Sequence, residues 1–181
     1  SIRGKSELTI NPSGNKDGLT KEYALLKYFQ VKSIIKPLKL ESHENNPILV
    51  LENFEGQSLV QFLQAQRVSL SAFLAIRLRL CFAIAIQLTE AFQAIHRQGI
   101  IHRNLEPGCI LINPNSFEIK LIDFSYATKK DVVTDAASEL FSGLNISYIA
   151  PEQTGRMNIA LDYRADFYSL GILLYQIVTG V

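Results

Sequence analysis

The sequence predicts an α+β fold in which a small antiparallel sheet with one helix precedes a mainly helical half. Three observations carry that expectation. Two apolar runs, Ile34 to Leu40 and Pro47 to Glu52, are separated by the polar stretch Ser42-His-Glu-Asn-Asn46, the pattern of two strands joined by a turn. From Ser58 the apolar period changes to three and four, first through Leu59, Phe62 and Leu63, then through Phe73, Ile76, Leu80, Ile84, Leu88, Phe92 and Ile95, which reads as a brief helix followed by a long one. A strongly apolar stretch from about Tyr163 to Thr179 reads as a further helix.

Ahead of the strands, Asn11-Pro-Ser-Gly-Asn-Lys-Asp-Gly18 is turn chemistry. Thr20 to Phe29 behind it is a short helix with the threonine at its N-cap. Asn53-Phe-Glu-Gly56 ends the sheet, and Gly99 closes the long helix as a C-cap. Short strands follow at Ile110 to Asn113 and Glu118 to Ile122, then a polar loop to Tyr148.

The 181 residues, 48% hydrophobic and 19% charged, suffice for one core. A formal charge of +1 gives no overall field to hold nucleic acid or an anionic membrane, so neither is expected as a partner. Cys81 and Cys109 fit neither a disulfide framework nor a four-ligand zinc site, and a cytoplasmic location is the default. Leu70 to Ile95 carries Arg77, Arg79 and Glu90, and Tyr168 to Val181 is too short for a bilayer. Both are expected to be core helices. The first residues contain no apolar h-region, so no signal peptide is expected.

The informative stretch is Ile100-Ile-His-Arg-Asn-Leu-Glu-Pro-Gly-Cys-Ile-Leu-Ile-Asn113, followed by Ile119-Lys-Leu-Ile-Asp-Phe-Ser-Tyr-Ala127. It resembles the catalytic loop H-R-D-L-x-x-x-N and the D-F-G magnesium motif of protein kinases. Tyr148-Ile-Ala-Pro-Glu152 is similar to the A-P-E end of an activation segment, and Asp166-Phe-Tyr-Ser-Leu-Gly171 to the helix that supports it. The four blocks stand in family order, with Asp123 21 residues after His102 and Glu152 29 residues after Asp123. Pro151 to Asn158 with Asp162 to Gly171 more narrowly resembles the serine/threonine-kinase-like module at the front of bacterial proteins that also carry an AAA-type ATPase and a sensor histidine kinase. The A-P-E block argues against an aminoglycoside-type phosphotransferase. The resemblance runs from about Glu22 onward, and residues 1–21 match poorly.

The resemblance implies a bilobal kinase-like fold, truncated, with a small-lobe remnant over 1–53 and an incomplete large lobe over 54–181. It also implies an ATP and Mg2+ site, and the residues at that site depart from the pattern. Asn104 stands where the catalytic aspartate would be, and a neutral carboxamide is no base. Glu106 replaces the phosphate-facing lysine. Cys109 replaces the asparagine that holds magnesium, a soft donor for a hard cation. Asp123 keeps its metal-ligand identity, but Ser125 follows at the glycine position. Leu144-Asn145 stands where a Gly-Thr pair would reach the catalytic loop.

On the nucleotide side the resemblance offers Lys5 and Glu22 as an ion pair and Leu111 as a nucleotide contact, while no G-x-G-x-x-G precedes Lys5. It gives structural roles to His102, Phe124 and Leu26 in an apolar column between the lobes, and to Asp166 under the catalytic-loop backbone. Arg103 could grip a phosphorylated Thr128, Thr134, Ser138, Ser142 or Ser147, or make a structural ion pair. His96 reads as a packed histidine, and Cys109 as filler in a lost metal site.

The leading functional reading is a pseudokinase in signalling, acting through a protein partner or further domains of a longer chain, with ATP and Mg2+ bound weakly or not at all. An active serine/threonine kinase within a longer chain is the enzyme alternative, and a non-functional gene remnant is the third. Ile172, Leu173, Tyr175 and Ile177 are expected to form an apolar face that needs cover.

Overall fold

The computed structural model describes residues 7–10, 16–43, 46–65, 73–130, 144–155 and 159–180. Its first sheet has β1 (Glu7–Ile10), β2 (Pro37–His43) and β3 (Asn46–Glu52) in the order β1-β3-β2, all antiparallel. Leu49, Val50 and Leu51 of β3 are buried in succession, as a central strand covered on both faces requires. The strand β1 was not anticipated. Its register, Glu7 opposite Glu52 and Ile10 opposite Leu49, ties the poorly matched N-terminal stretch into the sheet.

The helix α1 (Lys16–Leu26) begins one turn before the expected Thr20 cap. Leu19, Glu22 and Leu26 are all buried and share one face at helical spacing. Burying Leu19 therefore requires helical phase upstream of the threonine. Lys16, Asp17 and Gly18, read as turn, lie in that first turn.

Next come β4 (Gln57–Ser58), α2 (Leu59–Ala65) and α3 (Phe73–Arg97). By length and composition alone Ala75–Arg97 could cross a bilayer. Here Leu80, Ile84, Leu88, Phe92 and Ile95 form its inward stripe and are fully buried. The helix stops at Gly99, whose φ of 67° is the left-handed conformation that glycine adopts without strain.

Two small ladders then fix the site. β5 (Ile100–Ile101) pairs antiparallel with β8 (Thr128–Lys129), and β6 (Ile110–Ile112) pairs antiparallel with β7 (Ile119–Leu121) and with β4. Residues 102–109 run from β5 to β6, and residues 122–127 run from β7 to β8. Each end of the first segment is thus tied to an end of the second, and the two lie side by side.

The last helix, α4 (Arg164–Thr179), packs on α3. Leu173 and Ile177, expected on an uncovered face, are core residues, while Tyr175 is exposed and Ile172 half-buried. Leu173 and Ile177 lie one helical turn apart and share the face of α4 that turns into the core, whereas Tyr175 lies on the opposite side. One apolar cluster joins Leu19, Leu26, Leu49 and Leu51 to Leu88, Phe92, Leu173 and Ile177, so the core continues across residue 53. Backbone bonds from Ile35 N–H to the Leu121 carbonyl (3.1 Å) and from Leu121 N–H to the Ser33 carbonyl (2.7 Å) join the two halves.

Candidate functional site

The backbone of residues 102–104 is held first. The Asp166 carboxylate, fully buried in the first turn of α4, accepts the amides of His102 (2.9 Å) and Arg103 (2.8 Å). It also meets His96 Nε2 at 2.7 Å, and the His96 ring stacks on Phe92 with centroids 5.4 Å apart. Arg103 has φ 70°, a left-handed backbone that costs a non-glycine residue about 1–2 kcal/mol. Bonds on both sides hold it there, since Gln153 Nε2 donates to its carbonyl at 3.1 Å.

Facing this loop, Phe124 is buried and its ring meets His102 edge-on at 4.8 Å and Phe29 at 5.8 Å. Its amide donates to Glu22 Oε1 at 2.8 Å. Burial raises the Glu22 carboxyl to about 7, opposed by the Phe124 amide and reinforced by the nearby Asp123 charge. Burial likewise pushes the His102 imidazole below its ordinary value, against the pull of Asp166. This buried histidine is a packing group rather than a cation.

Asn104, Cys109 and Ser125 meet around Asp123, itself at φ 65°. Asn104 Nδ2 donates to Asp123 Oδ2 at 3.3 Å. The Cys109 thiol lies 3.1 Å from the Asn104 carbonyl and 3.8 Å from Asp123 Oδ2. Ser125 places its amide (3.3 Å) and its hydroxyl (2.5 Å) on Asp123 Oδ1. Burial, with the charges of Asp123 and Glu106, drives the thiol pKa sharply upward, so Cys109 keeps its proton.

Magnesium needs oxygen lone pairs in near-octahedral array, whereas the neighbours of Asp123 present N–H, S–H and O–H. The residues present do not fit the ion. Among the described residues there is no group of three or more His, Cys, Asp or Glu able to hold a metal.

Asn104, Cys109 and Asp123 are therefore brought together, and Glu22 joins them through Phe124. Glu106 turns to a different partner, since Asn145 Nδ2 donates to its Oε2 at 2.9 Å. Burial and the Glu106 charge raise the nearby Tyr148 phenol, which donates to Gln176. Leu111 is half-buried in β6, between Ser58 of β4 and Lys120 of β7. Lys5, the suggested phosphoacceptors Thr134, Ser138 and Ser142, and Arg156-Met157-Asn158 lie outside the described residues. Thr128 sits in β8, and Ser147 is exposed in a turn.

Sequence reasoning missed three residues that complete this geometry. His96 was read as inert packing yet shares Asp166. Gln153 is buried and bridges the A-P-E turn to Arg103; a glutamine directly after that motif was the available signal. Asn145 was noted only as a departure, although an amide opposite a carboxylate is a pair of complementary hydrogen-bonding groups.

The chain matches the family model described as protein kinase domain over residues 6–181, which extends the resemblance sixteen residues upstream of Glu22 and takes in β1. It is 31% identical over 149 residues to a probable serine/threonine-protein kinase of Clostridium perfringens, covering 82% of this chain and 20% of that protein. It is 31% identical over 170 residues to the human serine/threonine-protein kinase ULK1, covering 90% of this chain and 15% of that protein. A probable serine/threonine-protein kinase of Bifidobacterium longum is 30% identical over 141 residues, or 76% of this chain and 19% of that protein. The chain spans a fifth or less of the length of these relatives.

Proposed function

We propose that this chain, which belongs to the protein kinase family, is a pseudokinase that acts through protein contacts rather than by transferring phosphate. The observation that carries the reading is the set of groups on Asp123. Asn104, at the position of the base, donates an N–H hydrogen bond to that carboxylate and has no lone pair basic enough to take a proton from a substrate hydroxyl. Cys109, at the position of the second magnesium ligand, is a buried thiol. Glu106 puts an anion where a triphosphate requires a cation, and phosphoryl transfer depends on charge neutralisation more than on covalent help from the protein. The same step is weakened at three points.

Protein contact is supported by large apolar side chains left outside the core, among them Phe82 and Ile86 on α3 and Tyr175 on α4. A serine/threonine kinase active within a longer chain is the second reading, favoured by the relatives' names and by how little of their length this chain spans.

Purified protein incubated with radiolabelled ATP and magnesium or manganese is expected to label neither itself nor a generic protein substrate. Labelling that disappears in Asp123→Ala would overturn the proposal.

A further inference from the structure

Three departures from the kinase pattern look independent in the sequence. Asn104 stands for an aspartate, Cys109 for an asparagine and Ser125 for a glycine, spread over 22 residues. In the fold they converge on one carboxylate, and each changes the chemistry in the same direction. At position 104 an acceptor is replaced by an amide that donates to Asp123 Oδ2. At position 109 an amide oxygen is replaced by a thiol whose single S–H has the Asn104 carbonyl at 3.1 Å and Asp123 Oδ2 farther off at 3.8 Å. At position 125 a residue without a side chain is replaced by one whose hydroxyl meets Asp123 Oδ1. Both oxygens of Asp123 are thereby supplied with donors from the chain itself.

We infer that Asn104, Cys109 and Ser125 form a built-in substitute for the cation at Asp123, a hydrogen-bonded lock that fastens the 102–109 loop to the 122–127 segment without metal. The inference rests on the non-catalytic reading and deepens it. A carboxylate poised for a divalent cation carries uncompensated charge when the metal is absent, so neutralising it relieves the fold. A carboxylate that accepts internal hydrogen bonds supports the fold, and neutralising it does harm. The two arrangements therefore predict opposite signs for the same substitution.

The test measures melting temperatures of the full chain in EDTA and in millimolar Mn2+. Asp123→Asn keeps the side-chain shape and tolerates the left-handed backbone, but turns one acceptor oxygen into a donor facing other donors. It is expected to melt lower than the wild type in EDTA by about 3 °C or more. The wild type is expected to be unmoved by Mn2+, because a ligand stabilises only when its concentration exceeds its dissociation constant. Asn104→Asp, which places a second carboxylate beside Asp123, is expected to melt low in EDTA and to recover in Mn2+.

Any one of three results overturns the inference: Asp123→Asn at least as stable as wild type in EDTA, a Mn2+-dependent rise in the wild type that Asp123→Asn abolishes, or no Mn2+ rescue of Asn104→Asp. The wild-type measurement stands even where a variant fails to fold. Mn2+ stabilisation without phosphate transfer would end the lock alone, whereas phosphate transfer by the wild type would end the non-catalytic reading itself.

Discussion

Two sides of one eight-residue loop stand differently toward the kinase pattern that the sequence resembles. On the anchored side, His102 and Arg103 keep their amides on the buried Asp166, and His102 keeps its ring on Phe124. On the facing side, Asn104, Glu106 and Cys109 differ from the residues that the resemblance implies. The anchors are bonds between backbone amides of the loop and a carboxylate on α4, so they do not depend on what positions 104, 106 and 109 carry. A backbone anchored in this way keeps the shape of the loop whichever side chains stand at those three positions. Family resemblance at His102, Asp166 and Phe124 is accordingly evidence about architecture.

The largest loss of stability is expected on the anchored side. Asp166→Ala removes the acceptor for two buried amides and the partner of His96. Leaving such donors unpaired is expected to cost about 3–5 kcal/mol in chemical denaturation. Asn104→Ala, on the half-buried facing side, should cost about 1 kcal/mol. Equal losses from the two variants would break the comparison.

Legibility in the sequence followed the same division between local and distant causes. The strands β2 and β3, the long helix to Gly99 and the short strands β6 and β7 were readable because period and turn chemistry are local signals. The strand β1 has four residues and a partner some forty positions away, and β8 forms a two-residue ladder with β5. Neither carries enough periodicity to stand out. Side-chain identities at the site were legible; their partners were not. No sequence rule connects Asn145 to Glu106 across 39 residues or Phe124 to Glu22 across 102. The role of His96 depends on α3 and α4 crossing where Asp166 emerges, which is a tertiary fact.

Glu22 sharpens the comparison through pH, because it joins α1 to the buried end of the site. Its folded pKa of about 7 lies above the ordinary value of 4.5, so the native state binds the proton more tightly than the unfolded chain does. Its contribution to stability is fully present below about pH 4.5 and is lost as pH rises through about 7. Glu22→Gln carries no charge to bury and still offers an oxygen to the Phe124 amide. It is expected to gain about 1–2 kcal/mol over wild type at pH 8 and little at pH 5. A wild type whose stability does not fall between pH 5 and pH 8 relative to Glu22→Gln would show that a cation compensates the buried carboxylate. Lys5→Met would then test whether that cation is the lysine the sequence suggested.

The smallest expected effect separates exchange from decay. Had the facing side simply lost selection, substitutions there would be unrelated to one another. Yet Glu106, where the resemblance implies a cation, is met by Asn145, where it implies a threonine, with the amide donating to the carboxylate at 2.9 Å. Asn145 also accepts the Ser147 amide on its side-chain oxygen, which orients the NH2 group toward Glu106. A double-mutant cycle with Glu106→Ala, Asn145→Ala and the double variant should return a coupling of about 0.5–1 kcal/mol, the size of one partly solvated hydrogen bond to a charged group. Glu106→Lys, which restores the family's charge, should lose stability while Asn145 remains. Zero coupling, or a Glu106→Lys protein more stable than wild type, would mean that the two positions drifted independently and would favour a decaying site over a rebuilt one.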